Sequence, residues 1–256
     1  KNSIATFYRF LTMIFKYGTK YYGLNDNPCS VVSGITREKP HNVNYWTLAE
    51  FNLFIKALTE HHKPNARHSA EFLQTVYNTF FYCGLRKGEL LALTIGDYNR
   101  KEQTLTINKT LTRIGEEDVI TEPKTPKSNR TVSLPHQLCI MLDEHISKLE
   151  YTSTNEPLFP KLTKGILFST IKKFSELAEV KRIRIHDLRH SHASMLINLG
   201  VQPLAISERL GHENIQTTLN IYSHLYPNTA GDIADQLDTM IKKQYQNSIV
   251  NNTEQA

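Results

Sequence analysis

Residues 2–22 place Ile4, Phe7, Phe10, Leu11, Ile14, Phe15 and Tyr17 at helical spacing, an apolar stripe along an otherwise polar segment. The pattern predicts one amphipathic helix, ended by Gly23 and by Asn27-Pro28. A lone helix of this kind cannot bury its stripe by itself. The chain also opens on Lys1 in place of Met, and both features suggest a piece of a longer protein whose packing partners lie upstream. Residues 34–45 are polar and aperiodic around Gly34 and Pro40, which makes 34–46 a linker. A second domain is then signalled by Trp46-Thr47-Leu48-Ala49-Glu50-Phe51, where Thr47 can cap a helix, Glu50 can close the capping box and Trp46 can staple onto Phe51.

Beyond that signal the periodicity predicts helices over 48–60 and 68–83, the second ended by Gly84, and a short one from Lys87 to Leu93. Residues 104–108, 117–121 and 130–134 alternate or favour β-branched types, and predict a small antiparallel sheet. After Pro135 the helical pattern returns at 136–149, 164–179, 187–199, 203–210, 215–225 and 231–245, with Gly200 and Gly211 as stops. The expected fold is therefore mostly α with a small antiparallel β-sheet. Its domain at 47–228 follows a helical segment (1–33) and the linker, and precedes a C-terminal helix and tail (229–256).

Composition narrows the class without naming it. The 256 residues suffice for one large domain or two smaller ones, and 39% hydrophobic with 21% charged residues is ordinary for a soluble protein. No apolar run is long enough to span a bilayer, and the N-terminus lacks the layout of a secretory signal. Cys29, Cys83 and Cys139 form no CxxC pair, which gives no support to a zinc ribbon or a thiol redox site and fits a reducing bacterial cytoplasm. Of the net charge of +5, residues 1–46 supply +4: Lys1, Arg9, Lys16, Lys20, Arg37 and Lys39 against Asp26 and Glu38. A basic arm on a nearly neutral body suits a polyanion such as DNA, although a lysine-rich solvated surface has the same composition.

Four stretches concentrate unusual polar residues. In Gly84-Leu85-Arg86-Lys87-Gly88-Glu89, Arg86 stands between a helix stop and a helix start, where a surface arginine is also common. Glu122-Pro123-Lys124-Thr125-Pro126-Lys127-Ser128-Asn129-Arg130 is a lysine-rich turn between two strands, either a mobile donor of charge or a solubilising edge. In Ile185-His186-Asp187-Leu188-Arg189-His190-Ser191-His192, His186 and Arg189 are three apart at a helix start and can face one point. The three histidines raise a metal reading, but the glutamate of the HExxH pattern is absent. The fourth stretch is Leu210-Gly211-His212, followed ten residues later by Tyr222, which alone would be an ordinary core-edge tyrosine.

Taken together, Arg86, Lys124, His186-x-x-Arg189, Leu210-Gly211-His212 and Tyr222 resemble, in order and spacing, the tyrosine recombinase (phage integrase) family. The match runs across residues 47–226, and residues 1–33 resemble the tail of that family's helical core-binding domain. The wording of "EPKTPKSNRTVSLP" and "HDLRHSHASMLINLG" is most similar to integrases of phages and integrative elements of Gram-positive bacteria.

The resemblance implies the tyrosine recombinase catalytic-domain fold and a site-specific recombinase that cleaves and rejoins DNA through a 3′-phosphotyrosyl intermediate, without cofactor or metal. Tyr222 is then the nucleophile and His186 its base, since a phenol with a pKa of about 10 needs help at neutral pH. Arg86 and Arg189 grip the non-bridging oxygens in paired N–H bonds that lysine could not match, and His212 adds another. Lys124 is the general acid for the leaving 5′-oxygen, with Lys127 its rival, while Glu89 and Asp187 orient their neighbours. The implied partners are double-stranded DNA attachment sites, three further copies in a homo-tetramer on DNA, and an accessory DNA-bending or excision factor, with no membrane involved. Ile233, Leu237, Ile241 and Tyr245 on the last helix pack either on their own domain or on a neighbouring subunit. A supercoil-relaxing enzyme of the type IB topoisomerase kind and a DNA-binding protein that does not cut are the rival readings.

Overall fold

The computed structural model describes residues 2–32, 35, 43–63, 66–123, 125–151, 153–225 and 237–242. The chain divides into two compact units, Lys1–Val43 and Asn44–Ala256. In the first, helix α1 (Asn2–Tyr21) occupies the predicted amphipathic segment. Its Ile4, Phe7, Phe10, Leu11 and Ile14 side chains are exposed. A 3₁₀ turn at Pro28–Val31 folds back on it, with Pro28 at a position that needs no N–H. Asn27 fixes the turn: its Oδ1 accepts from the Cys29 N–H (2.9 Å) and its Nδ2 donates to the Thr12 carbonyl (3.1 Å). The predicted linker falls largely outside the described residues.

Near the start of the second unit stands Trp46, whose side chain has no exposed surface. Helix α2 (Leu48–Glu60) carries the expected capping box, with Thr47 accepting from the Glu50 N–H and Glu50 accepting from the Thr47 N–H. The expected staple differs in its partner. Phe51 stacks on Phe81 of helix α3 (Ala70–Cys83) with centroids 3.9 Å apart, so the Trp46 ring packs on Phe54 instead, at 4.9 Å. Helix α3 starts two residues later than predicted because Ser69 serves as its cap, accepting from the Phe72 N–H.

After the short helix α4 (Lys87–Ala92) the β-residues form two sheets among the described residues, not the single one expected. Strands β1 (Tyr98–Asn99), β2 (Thr104–Ile107) and β5 (Arg130–Ser133) are antiparallel in the order β1-β2-β5, with Leu105 opposite Val132 and Ile107 opposite Arg130. Strands β3 (Thr110–Ile114) and β4 (Glu117–Thr121) pair only with each other, as a hairpin turning at Gly115 with φ +59°. The division has a packing cause. Leu105, Ile107 and Val132 enter the core, whereas Ile114 and Ile120 remain exposed, so the hairpin has too little apolar surface to join that layer. The lysine-rich segment thus connects the two sheets and does not cap a hairpin between paired strands.

Helices α5 (His136–Ser147), α6 (Lys164–Leu177), α7 (Asp187–Asn198), α8 (Pro203–Leu210) and α9 (Ile215–Tyr222) complete the unit, with a 3₁₀ turn at Ser223–Leu225. Of the last predicted helix, only 237–242 are described, and they are helical. The main core gathers Trp46, Phe54, Tyr77, Phe80 and Leu142 with the sheet residues. A smaller cluster of Ala193, Ile197, Ile206, Leu210 and Tyr222 joins α7, α8 and α9.

Trp46 anchors the unit's entry: its Nε1 donates to the Lys181 carbonyl (2.7 Å) and its backbone N–H to Ser191 Oγ (2.8 Å). Trp46→Ala is expected to destabilise this unit by about 3–5 kcal/mol. Trp46→Phe, which mainly strands the Lys181 carbonyl, should cost about 1–3 kcal/mol. Urea unfolding followed by far-UV circular dichroism measures both.

Candidate active site

Two glycines shape the site. Gly84 ends α3 in the left-handed conformation (φ +62°), and a Cβ there would stand 2.6 Å from His192 Cδ2 and 2.8 Å from Leu210 Cδ2. Gly211 ends α8 likewise (φ +68°), and a Cβ would meet the Lys127 carbonyl at 2.8 Å. Gly84 is thus pressed against the His192 and Leu210 side chains and Gly211 against the Lys127 backbone, and neither position has room for a side chain. Their carbonyls face the same region. Arg189, on the first turn of α7, donates from Nη1 to Gly84 O (2.8 Å) and from Nη2 to Leu210 O (2.6 Å). Arg86, between α3 and α4, points Nη2 at Gly211 O from 3.4 Å. Two guanidiniums from distant parts of the chain thus converge on the successive carbonyls of Leu210 and Gly211, with N–H donors left over for a ligand.

One carboxylate organises this charge. Glu89 bonds Arg86 Nη1 at 2.7 Å and accepts the Arg86 backbone N–H at 2.8 Å. It also forms a paired contact with Arg130, at 3.1 Å to Nη1 and 2.9 Å to Nη2. The Arg130 and Glu89 side chains are 6% and 4% exposed, so this is a buried ion pair and not a surface one. Burial by itself would raise the Glu89 pKa, but the Arg130 guanidinium outweighs it and lowers the pKa to about 2. Three guanidiniums against one carboxylate leave an excess of positive charge. Accordingly Arg189, penalised first by burial and then by Arg86 and Arg130, is lowered to about 9 and stays protonated at neutral pH. An anion is what such a site lacks.

The histidines around it are neutral. His212 is lowered to about 3 by burial and then by Arg189 and Arg86. Its Nδ1 lies 2.8 Å from the Thr218 hydroxyl, and a proton donated from that hydroxyl leaves Nε2–H free to donate elsewhere. His186, exposed at the start of α7, is lowered by desolvation and by Arg189. Asp187, fully buried, holds that helix start by accepting from the Arg184 N–H (2.9 Å) and guanidinium (3.0 Å). Tyr222 closes α9 with 1% of its surface exposed. Its hydroxyl is 2.6 Å from Nδ1 of His190, and burial raises its pKa, against the pull of Arg189. Burial and the neighbouring His186 lower His190 to about 4, so a protonated phenol donates to a neutral ring.

Arg86, Arg189 and His212 are thus brought together around the two glycine turns. His186 stands on the same helix turn as Arg189, and Tyr222 joins through His190. Lys124 lies outside the described residues. Lys127 is exposed on the 3₁₀ turn Pro126–Ser128, where it borders a cleft shared with Arg130, Gly211 and His212. Among the described residues, no group of three or more His, Cys, Asp or Glu is placed to hold a metal ion. The residue patterns had left Arg130 and His190 without roles. Each had a signal: Arg130 is two residues from Val132 and shares its inward strand face, and His190 is four from His186 on one helix face.

The second unit has the tyrosine recombinase catalytic-domain fold. The likeness to the catalytic domain of bacteriophage HP1 integrase has a TM-score of 0.53 at 20% identity, over 76% of this chain and 95% of that one. The Tn1549 transposon integrase, solved in complex with a circular intermediate DNA, matches with a TM-score of 0.73 at 20% identity, over 93% of this chain and 79% of that one. Residues 47–229 match the phage integrase family, and the chain belongs to it. Among its relatives, the ICEBs1 integrase of Bacillus subtilis (strain 168) is 32% identical over 251 residues, covering 90% of this chain and 64% of the relative. The integrase of Staphylococcus phage L54a is 28% identical over 179 residues, covering 62% of this chain and 49% of the relative. The chain therefore spans less than two thirds of the length of these relatives.

The buried pair makes stability depend on pH. The folded pKa of Glu89 is depressed below its ordinary 4.5, so its contribution is complete above about 4.5 and is lost as pH falls toward about 2. Glu89→Gln should flatten the stability profile across that window. At neutral pH it should cost about 3–5 kcal/mol, because Arg130 is left buried without its counter-charge. Denaturant titrations at a series of pH values check both outcomes.

Proposed function

We propose that this chain carries the cutting and joining centre of a site-specific DNA recombinase, an integrase of a mobile element. The observation that carries the reading is the convergence of Arg86 and Arg189 on the carbonyls of Gly211 and Leu210, beside His212, with Arg189 next in sequence to the histidine that holds Tyr222. A phosphodiester seated there receives guanidinium and imidazole N–H bonds on its non-bridging oxygens, which gather charge in the pentacoordinate transition state. Each such donor is worth about 3–4 kcal/mol when removed.

Tyr222 attacks phosphorus, conserves the bond as a 3′-phosphotyrosyl link and releases a 5′-hydroxyl that later reverses the step. The catalytic set is Arg86, Lys124, His186, Arg189, His212 and Tyr222. Lys124 is the acid for the leaving oxygen, and Lys127 is its competitor on the same segment. The guanidiniums supply the charge that phosphoryl transfer needs, so no cofactor or metal is required. The partners are double-stranded attachment sites, bridged by a homo-tetramer, with an accessory DNA-bending or excision factor, in a bacterial cytoplasm. Residues 1–33 serve as the tail of a DNA-binding core domain, 34–46 as the linker, 47–228 as the catalytic domain and 229–256 as a C-terminal helix and tail. Names among the relatives support the DNA partner, since one is an integrase and one structural likeness was solved on DNA.

A nicked suicide duplex carrying the element's junction sequence tests the reading. The chain should form an adduct that resists denaturation, unaffected by EDTA. Tyr222→Phe should abolish the adduct while DNA binding persists, and an adduct in that variant would sink the assignment. A substrate with sulfur at the 5′-bridging position needs no acid. It should restore cleavage to Lys124→Ala, whereas restoration confined to Lys127→Ala would move the acid to Lys127.

A further inference from the structure

We infer that His190 is a catalytic residue, the group that takes the proton from Tyr222 as the phenol attacks. The inference deepens the recombinase reading and rests on it, and it leaves His186 to bond the phosphate.

The Tyr222 hydroxyl lies 2.6 Å from His190 Nδ1, within the range for proton transfer. The rings meet at 61° with centroids 5.7 Å apart, so the hydroxyl addresses the edge of the imidazole and not its face. Burial keeps the phenol protonated and the ring uncharged, so the hydrogen bond runs from Tyr222 to His190. Arg189 and Tyr222 act on one another electrostatically, so a phosphate held by Arg189 lies near the hydroxyl held by His190. The His186 ring is 5.1 Å from that of His190 and nearly perpendicular to it.

The ionisable groups facing His190 are His186, Asp187, Arg189 and Arg184 from its own helix and the approach to it, with Tyr222 and His212 from the segments packed against it. Asp187 favours the imidazolium that the step creates, and Arg189 disfavours it until the phosphate arrives to offset that charge. The step balances. The Tyr222 oxygen–phosphorus bond forms, the bond to the 5′-oxygen breaks, the phenol proton moves to His190 Nδ1, and the 5′-oxygen takes a proton from the lysine segment. On rejoining, the lysine regains its proton from the attacking 5′-hydroxyl, and the imidazolium returns the other to the departing phenolate.

His190→Gln separates proton transfer from positioning, because a Gln carbonyl can still accept the Tyr222 hydrogen bond but cannot accept its proton. Single-turnover adduct formation on the nicked duplex should slow by roughly 100- to 10,000-fold, with Kd for that duplex unchanged. Its rate should then climb about tenfold per pH unit, following the fraction of phenolate below the pKa that burial has raised in Tyr222. Imidazole in the buffer should rescue His190→Ala. His186→Gln should also be slow, but without the steep pH dependence. A loss under 100-fold in His190→Gln, or a wild-type pH profile, would overturn the assignment. If the unmodified chain forms no Tyr222 adduct at all, the recombinase reading itself fails, and that result is distinct from a failure of His190 alone.

Discussion

The site depends on a buried carboxylate shared by two arginines. Glu89 neutralises the buried Arg130 and at the same time aims Arg86, which is partly exposed. Arg130 then donates from Nε to the Arg209 carbonyl at the end of α8 and from Nη1 to the Ser128 carbonyl in the lysine segment. Through one ion pair the start of α4, strand β5, the lysine segment and the Gly211 turn are held in fixed relation. A buried pair of this kind is expensive to desolvate and costly to break. It is retained here where four segments must meet to within hydrogen-bond tolerance.

That frame also sets the electrostatics. Glu89, paired to Arg86 and Arg130, acts on Arg189 only at a distance, and the Arg189 guanidinium is held by the carbonyls of Gly84 and Leu210. The surplus charge adds to burial in keeping His212 and His190 neutral and opposes burial in Tyr222, where burial prevails. A site prepared in this way is complementary to a phosphate whose charge grows during reaction, because the donors need little reorganisation when it does. It also keeps the Tyr222 phenol protonated and covered: Tyr222 belongs to the α7–α8–α9 apolar cluster, and its hydroxyl is committed to a polar partner.

Local rules were legible where the residues that make a feature are neighbours in sequence. The Thr47–Glu50 box, the Gly84 and Gly211 stops and the 3.6-residue stripes all act within a turn or two, so α2, α3, α7 and α8 lie close to their expected bounds. The division of the strands into two sheets was not legible. The alternation in Thr110–Ile114 does not reveal that its Ile114 finds no core to enter. The ring on which Trp46 rests was hidden for the same reason, since Phe51 had already been taken by Phe81 of another helix.

By itself the sequence determined the inventory of the site: two arginines, histidines and a tyrosine in an order and spacing that resemble one family, each beside a helix start or stop. It did so because helix ends are written locally, in glycines, caps and the residues next to them. Only the tertiary structure decided which of these groups touch. Glu89 and Arg130 are 41 residues apart, Arg189 and Gly84 are 105 apart, and His190 and Tyr222 are 32 apart. Contacts at such separations are settled by how helices and strands share one core, and no local preference of the chain encodes them.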